Sequence, residues 1–309
     1  MSSRFFRLQV VAASLAVLAT VLWAGVAAQG PLHEERKESR RLQFSGQGVR
    51  TLDVRAMNGT IRVTGDGGAD VRLEATMAFD AETREALGAA QRDVTIEGRE
   101  EGATVAIAVR DAGAPTCGEQ GNWRQPAWWD RRRYDAEVTL AIQVPRDVRV
   151  RLCTVNGGEA VVDGTQGDFD VSNVNGRIVL KGMRGSGRAS TVNGTIEAAF
   201  DGAPRAESLF KTVNGDITVT LPGDLAAELR IKTMRGGIYT DFETVEQPTE
   251  REPSRRPGEP RFVYRRRGFT NYRVGKGGPE LTFETLNGDV RIQHAARYSS
   301  SRLSVLGSR

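Results

Sequence analysis

Thr154-Val155-Asn156-Gly157 is the first of four nearly identical phrases that decide how this 309-residue chain folds. The others are Asn173-Val174-Asn175-Gly176, Thr191-Val192-Asn193-Gly194 and Thr212-Val213-Asn214-Gly215, and a variant, Thr233-Met234-Arg235-Gly236, follows them. The third residues of the phrases lie 19, 18, 21 and 21 residues apart. A nearly constant period of about 20 residues is typical of stacked units that cannot bury a core alone and must shield one another.

Apolar and polar residues alternate between the phrases, which predicts short strands. Phe169, Val171 and Asn173 share one face of such a strand, whereas Asp168 and Asp170 point to solvent. Asn-Gly between such alternations signals a tight turn, because both residues tolerate a positive φ. At a constant spacing, the asparagine side chains would hydrogen-bond along the stack. The sequence therefore predicts an all-β fold, a β-solenoid of short strands with Asn-Gly corners, with a meandering antiparallel sheet as the alternative.

The same pattern extends beyond the phrases in both directions. Leu52, Val54 and Ala56 alternate before Asn58-Gly59, which marks either a further corner or a single hairpin, and the phrase returns once more at Asn287-Gly288. Residues 81–91 are the one plausible helix. The predicted corner residues are Asn58, Gly59, Asn156, Gly157, Asn175, Gly176, Asn193, Gly194, Asn214, Gly215, Arg235, Gly236, Asn287 and Gly288.

These patterns divide the chain into one β domain and its flanks. We expect the domain to cover residues 44–295, with an N-terminal β region continuous with the repeats. Insertions interrupt it at about 111–134 and 243–279, and a disordered tail follows at 296–309. Within the phrases an apolar stripe recurs, which we expect to turn inward because an exposed ridge would be a sticky patch. Its members are Val155, Val174, Val192, Val213, Met234 and Leu286.

The N-terminus has the features of an export signal. Arg4 and Arg7 precede an uncharged stretch that ends at Ala28, and Val26-Ala27-Ala28 offers small residues for cleavage. The stretch is about 20 residues long, so it could instead remain as a membrane anchor. Residues 29–43 are charged and are predicted to be a spacer. Without residues 1–28, 41 basic and 39 acidic side chains remain, so the net charge says little about partners.

Cys117 and Cys153 are the two cysteines of the chain. In an exported protein an even pair of cysteines indicates a disulfide. Cys153 shares the outward face of its strand with Arg151, so it can reach Cys117 in the neighbouring insertion. The bond would stabilise the fold by about 4 kcal/mol in the chain-entropy estimate.

Catalysis has one candidate group in this sequence. Asp163, Asp168 and Asp170 cluster in one repeat and could hydrolyse a glycosidic bond or hold Ca²⁺. Turn geometry and a solvated strand face explain the same residues without a site. No cofactor is expected, and His33 and His294 lie near the two ends of the mature chain, where a nucleophile–histidine pair is hard to build.

The insertions carry the strongest candidates for a ligand surface. Aromatic and arginine side chains dominate interaction surfaces and can bind carboxylated or phosphate-bearing polymers, or nucleic acid. A capping loop and a solvated loop are the alternative, because a stacked β fold needs its ends covered. The candidate residues are Trp123, Trp128, Trp129, Arg131, Arg132, Arg133, Arg265, Arg266 and Arg267.

The repeated Thr-Val-Asn-Gly-x-Ile-x-Val units after an export signal resemble the bacterial putative adhesin family of exported β-solenoid domains. The resemblance covers about residues 48–294, and the segments at 111–134 and 243–279 depart from it. It implies a non-enzymatic envelope or surface scaffold that binds a glycan, an anionic envelope polymer or a surface protein, with no specific nucleic acid. It transfers no catalytic residue. A carbohydrate-active enzyme and a membrane-tethered envelope-stress sensor are the alternative functions.

Overall fold

The computed structural model describes residues 32–111, 117, 133–156, 158–248 and 268–295. Within these ranges the chain is almost entirely β-structure, and α1 is the one helix described. The strands are β1 (Leu32–Leu42), β2 (Thr51–Arg55), β3 (Gly59–Asp66), β4 (Val71–Ala81), β5 (Val94–Glu101), β6 (Thr104–Asp111), β7 (Tyr134–Pro145), β8 (Arg149–Cys153), β9 (Ala160–Asp163), β10 (Phe169–Ser172), β11 (Ile178–Met183), β12 (Gly187–Ser190), β13 (Ile196–Phe200), β14 (Ser208–Lys211), β15 (Ile217–Leu221), β16 (Ala227–Arg235), β17 (Ile238–Thr240), β18 (Thr244–Gln247), β19 (Thr270–Val274), β20 (Glu280–Asn287) and β21 (Val290–His294), and α1 spans Arg84–Asp93.

The strands form two large sheets in which parallel pairing dominates. Sheet A has the order β1-β4-β7-β3-β9-β11-β13-β15-β21-β17, and sheet B has the order β18-β19-β16-β20-β14-β12-β10-β8-β2-β6-β5. From β8 to β17 the chain alternates between the two sheets, so each repeat supplies one strand to each. The N-terminal strands β2 and β3 pair in parallel with β8 and β9. The predicted continuity of the N-terminal region with the repeats is therefore present in both sheets.

The repeats are not stacked in strict chain order. Strand β20 lies between β14 and β16, and β21 lies between β15 and β17, so the Asn287 repeat is inserted between the Asn214 and Arg235 repeats. The expectation that each repeat lies on the previous one fails at this place. Phe283 of β20 stacks on Phe210 of β14 with ring centroids 5.4 Å apart, and such aromatic pairing favours this neighbour.

The core lies between the sheets, where the inward residues of every strand meet. A row of aromatic rings runs through its centre: Phe169, Phe200 and Phe210 lie with centroids 6.1–6.4 Å apart, and Phe283 continues the row. These rings are buried. The strict inside–outside alternation of β4, β7 and β15 confirms the period of two seen in the sequence.

Residues 32–42 form a strand rather than a spacer. Strand β1 pairs antiparallel with β4 along its whole length and forms one edge of sheet A. The charges of these residues predict a spacer without regular structure. However, an exposed edge strand also carries charged side chains, because they prevent pairing with other chains. Arg36 also donates to the carbonyl oxygens of Gln91 and Val94, 3.1 and 3.0 Å away, and so ties β1 to the end of α1.

The predicted helix and part of the second insertion also appear in the structure. Helix α1 begins after Thr83, whose hydroxyl accepts from the amide of Ala86, and it covers the gap between the sheets beside β4, β5 and β7. The insertion at 243–279 was expected to interrupt the fold, but β18 and β19 within it pair antiparallel and extend sheet B. Residues 1–28 and 296–309 lie outside the described ranges, so their predicted roles stay predictions.

Candidate functional site

The asparagines of the phrases stand in one line where the chain passes from sheet B to sheet A. Backbone bridges join Asn58, Asn156, Asn175, Asn193, Asn214 and Asn287 in that order, and we call these six residues the asparagine row. The side-chain amides of Asn175, Asn193, Asn214 and Asn287 each donate to the amide oxygen of the preceding asparagine in the row, over 2.6–2.8 Å. The predicted corner alignment is confirmed, and Asn58 belongs to it rather than to an isolated hairpin.

The threonines of four of the phrases close the same corner from inside. The hydroxyls of Thr191, Thr212, Thr285 and Thr233 donate to the carbonyl oxygens of glycines in the neighbouring repeats, over 2.9–3.1 Å. These threonines satisfy backbone acceptors that would otherwise be unpaired at a buried corner. Threonine recurs in the phrase for this reason, which its position in the sequence alone did not reveal.

The glycines of the corners are required both by close approach between repeats and, at several corners, by backbone geometry. In the described ranges no non-glycine residue has a positive φ, so these Asn-Gly pairs are not two-residue hairpin turns. A Cβ built on Gly194 would lie 2.1 Å from the carbonyl oxygen of Gly176, and one on Gly215 would lie 2.0 Å from that of Gly194. The positive φ expected of the asparagines is absent, whereas Gly59, Gly215 and Gly288 have it. Gly157 lies outside the described residues.

The apolar stripe beside the asparagine row is largely outside the core, contrary to expectation. Val192 is 39%, Leu286 39% and Met234 51% exposed, and Val155 alone of the six is buried. These residues follow the inward residue of their phrase, such as Thr191 before Val192 and Thr285 before Leu286, so the alternation of the strand directs them outward. The repeats therefore present an apolar line that runs beside the asparagine row.

One end of this stripe is covered by the disulfide. Cys117 and Cys153 are bonded, with their Cα atoms 5.6 Å apart, as the sequence predicted. Cys117 packs with Met57 and Val155 in a small cluster separate from the main core. The bond thereby fixes the start of the tryptophan-containing insertion to the corner of the stack. A disulfide is typical of a protein outside the cytoplasm.

Two buried polar side chains near the disulfide are unpaired, and sequence reasoning missed them. Asn173 occupies the threonine position of its phrase, and both of its amide atoms lack a hydrogen-bond partner, as does the hydroxyl of Thr154 in the adjacent repeat. Buried polar groups of this kind commonly hold an ordered water. Asparagine in place of threonine at position 173 and the extra glycine in Asn156-Gly157-Gly158 are the sequence signs that this corner departs from the others.

The three candidate carboxylates do not converge. Asp163 ends β9 in sheet A, whereas Asp168 and Asp170 lie at β10 in sheet B. Asp168 accepts from Arg149 over 3.1 Å and from the amide of Ser186 over 3.2 Å. The carboxylates are thus parts of separate surfaces. Within the described ranges no group of three His, Cys, Asp or Glu residues is placed to hold a metal ion.

Ion pairs across neighbouring strands cover the outer faces of both sheets. Glu284 of β20 lies 3.0 Å from both Lys211 and Lys232; burial opposes its ionisation, but these two lysines outweigh that and lower its pKa. The pKa of Asp216 is lowered by a hydrogen bond from the amide of Asp289 and by Arg291, despite partial burial. Charged residues of neighbouring strands are therefore paired within the fold at these positions.

The two sheets end unequally at the β17 and β18 side. Sheet A stops at β17, whereas sheet B continues past β16 by two further strands, β19 and β18. A cavity of about 450 Å³ lies at this step, lined by Ile231, Lys232, Thr233, Ile238, Phe269 and Thr270 among others. The ring of Phe269 faces Arg230, whose guanidinium carbon is 4.1 Å from the ring centroid.

The predicted ligand residues lie mostly outside the described ranges. Arg133 is described, and it is exposed at the start of β7. Trp123, Trp128, Trp129, Arg131, Arg132, Arg265, Arg266 and Arg267 fall in the residues not described, so their role stays a prediction. The described part of the chain contains no helix with the length and hydropathy of a membrane span.

Comparison with known proteins gives structural neighbours only. No family model and no curated protein matches the sequence. A putative cell adhesion protein from Clostridium sporogenes is 12% identical with a TM-score of 0.44, over 85% of this chain and 100% of its own. A putative adhesin from Bacteroides fragilis is 11% identical with a TM-score of 0.34, over 84% of this chain and 97% of its own.

Bacterial putative adhesins are thus structurally similar over most of this chain. The two neighbours' names specify no ligand and no binding mode.

Proposed function

We propose that this chain is an exported, non-enzymatic scaffold of the cell envelope, a β-solenoid that binds an anionic polymer, a glycan or a surface protein through its insertions. The observation that carries the proposal is the Cys117–Cys153 bond. It attaches the tryptophan-containing insertion to a corner held by the asparagine row. Binding residues are commonly placed on loops that a rigid scaffold positions, and a disulfide is suited to an oxidising compartment.

The arrangement of charge supports the same function. The outer faces of the sheets are occupied by ion pairs within the fold, such as Lys211 and Lys232 with Glu284. The three consecutive arginines of the sequence, Arg265, Arg266 and Arg267, would then be the part of the protein that attracts a polyanion. The dispersed positions of Asp163, Asp168 and Asp170 give the alternative of a carbohydrate-active enzyme no support.

A retention assay on isolated envelope polymers tests this function. We expect the wild-type protein to be retained at low salt and released as salt rises, because counterions compete for the arginines. Replacing Arg265, Arg266 and Arg267 with Ser should reduce retention and its salt dependence, and replacing Trp123, Trp128 and Trp129 with Ala should reduce retention at every salt concentration. Retention that neither triple variant changes would refute binding through the insertions.

A further inference from the structure

Strand β17 presents a free hydrogen-bonding edge. Its pairing with β21 uses alternate residues: Val290 donates to the carbonyl of Gly237 over 2.9 Å, and Asp241 donates to the carbonyl of Ile292 over 3.1 Å. In a parallel ladder the residues between these therefore direct their N–H and C=O groups to the opposite side. These residues are Ile238 and Thr240, and β21 is the one strand that pairs with β17 in the part of the chain described.

The composition of β17 differs from that of the edge strands at the other end of the sheets. Strand β17 consists of Ile238, Tyr239 and Thr240 and carries no charge. Strand β1 has charged residues at seven of its 11 positions, and β5 at four of its eight. Charged residues on an edge are a common defence against pairing with another strand, and so is a short strand. The β17 edge is short but carries no charge, so its outward backbone groups have no charged side chain of their own strand beside them.

The space beside β17 is shaped for one more strand in sheet A. Sheet B extends two strands further, and the cavity of about 450 Å³ lies at this step, lined by residues of β16 and β17 and by residues 268–270. Ile238 of β17 is half-buried and provides part of its apolar wall. Sheets pack about 10 Å apart, so a strand added to β17 would direct every second side chain into this cavity. Its other side chains would lie beside Tyr239, which is 56% exposed.

We propose that β17 is the acceptor edge for an extended strand of another protein, with apolar residues at alternate positions. A row of outward N–H and C=O groups at strand spacing is matched by another polypeptide backbone, which is the chemistry of β-strand addition. A second copy of this chain fits less well, because two β17 edges would meet over only three residues, whereas a longer strand with alternating apolar residues would also contact the cavity beside β17. The cavity is lined in part by Phe269 and Thr270 of the insertion at 243–279, but the proposal rests on the β17 backbone and not on the tryptophans and arginines that carry the proposed function, so either can fail without the other.

The probe is a blocked peptide with the sequence of residues 215–221, Gly-Asp-Ile-Thr-Val-Thr-Leu, which contains strand β15 of sheet A. In the ¹⁵N-labelled protein we expect the amides of Ile238 and Thr240 to exchange rapidly with solvent, and those of Tyr239 and Asp241 slowly. Adding the peptide should protect Ile238 and Thr240. Two N-methylated peptides provide the control, one modified at Ile217 and Val219 and the other at Thr218 and Thr220. We expect one of them to lose binding and the other to retain it.

A matched pair of variants tests the edge itself. Thr240→Pro removes an outward N–H, which edge strands tolerate, whereas Thr240→Val keeps it. Both variants lose the hydroxyl that accepts from the amide of Phe242 over 3.1 Å, so they differ mainly in the backbone donor. We expect Thr240→Pro to weaken peptide binding on the order of fivefold and Thr240→Val to leave it nearly unchanged, with similar melting temperatures.

The outcomes separate the proposal from its rivals. Peptide protection of Ile238 and Thr240 that Thr240→Pro abolishes supports a strand acceptor. No protection, or equal binding by both variants and both N-methylated peptides, overturns it. A dimer that light scattering detects in the wild type and not in Thr240→Pro would overturn the assignment to another protein and identify a second copy as the occupant.

Discussion

The two ends of the paired sheets are built differently. At the β1 and β5 end, α1 covers the gap between the sheets, and Arg36 joins β1 to the carbonyls at the end of that helix. At the β17 and β18 end, one sheet stops two strands before the other and a cavity remains. The difference shows that a stack of similar repeats needs a separate solution at each end, which the repeat itself does not encode.

Removing an aromatic ring at each end should give the largest contrast. Phe79 is fully buried on β4, and Arg36 lies 5.7 Å from its ring centroid, so Phe79→Ala should cost about 3–5 kcal/mol of unfolding free energy. Phe269, partly exposed beside the cavity, is held mainly by Arg230, and Phe269→Ala should cost about 1 kcal/mol. Urea unfolding followed by circular dichroism measures both values. Similar losses would show that the two ends are equally well packed.

Removing the disulfide by substitution should have the next largest effect on stability. The bond joins residues separated by 36 positions, so replacing both cysteines with Ala should cost about 2–4 kcal/mol. The loss should be local to the corner near Met57 and Val155, whose amides should exchange faster than before. Hydrogen exchange of β17 at the opposite end serves as the control. An equal increase at β17 would contradict a local role for the bond.

A Cβ should be tolerated better at the end of the stack than within it. Gly194 lies between two repeats, and its Cβ would meet the backbone of Gly176, so Gly194→Ala should cost about 1–3 kcal/mol. Gly236 meets the backbone of Gly288 in the same way, but its repeat is the last and can move outward, so Gly236→Ala should cost less. Gly223→Ala, which has open space, is the control in thermal unfolding. A larger loss for Gly236→Ala would show that the end is as constrained as the interior.

Acidic pH should destabilise the strands near the β17 and β18 end of the sheets. Because the pKa values of Asp216 and Glu284 are lowered in the folded protein, the unfolded chain takes up these protons first as pH falls through about 4. Their contribution is therefore present above that pH and is lost below it. The variants Asp216→Asn and Glu284→Gln should show a smaller fall in melting temperature between neutral and acidic pH than the wild type, with Asp224→Asn as the surface control. If the melting temperature of both variants fell with pH as steeply as that of the wild type, Asp216 and Glu284 would not be the groups responsible for the acid sensitivity.

The sequence predicts correctly the features that depend only on residues within one repeat. The period of the phrases, the alternation in β10 and β16, and the outward position of Cys153 all follow from local pattern, and the structure agrees with them. The order of the repeats does not follow, because each phrase fits every other equally well and the choice depends on contacts such as Phe210 with Phe283.

Other differences arise where one pattern has two physical causes. Charges on residues 32–42 are compatible with a spacer and with an edge strand, and the pairing with β4 distinguishes them. Glycine after an asparagine is compatible with a positive φ and with a close approach; Gly215 and Gly288 show both, whereas Gly194 shows the close approach without a positive φ. The exposure of Val192 and Met234 follows from the alternation of their strands, since exposed Arg188 and Arg230 share their parity, and the expected inward turn at the corner does not occur.

Cross-linking of strands in sheet A tests the order of the repeats most directly. Thr218 of β15 and Tyr239 of β17 both stand beside Arg291 of β21, on opposite sides of it. Cysteines at positions 218 and 291 should therefore form a disulfide, because adjacent strands lie about 4.8 Å apart. Cysteines at positions 218 and 239 should not. Peptide mapping under non-reducing conditions that found the 218–239 bond, and no 218–291 bond, would show that the repeats stack in chain order and would contradict the inserted repeat.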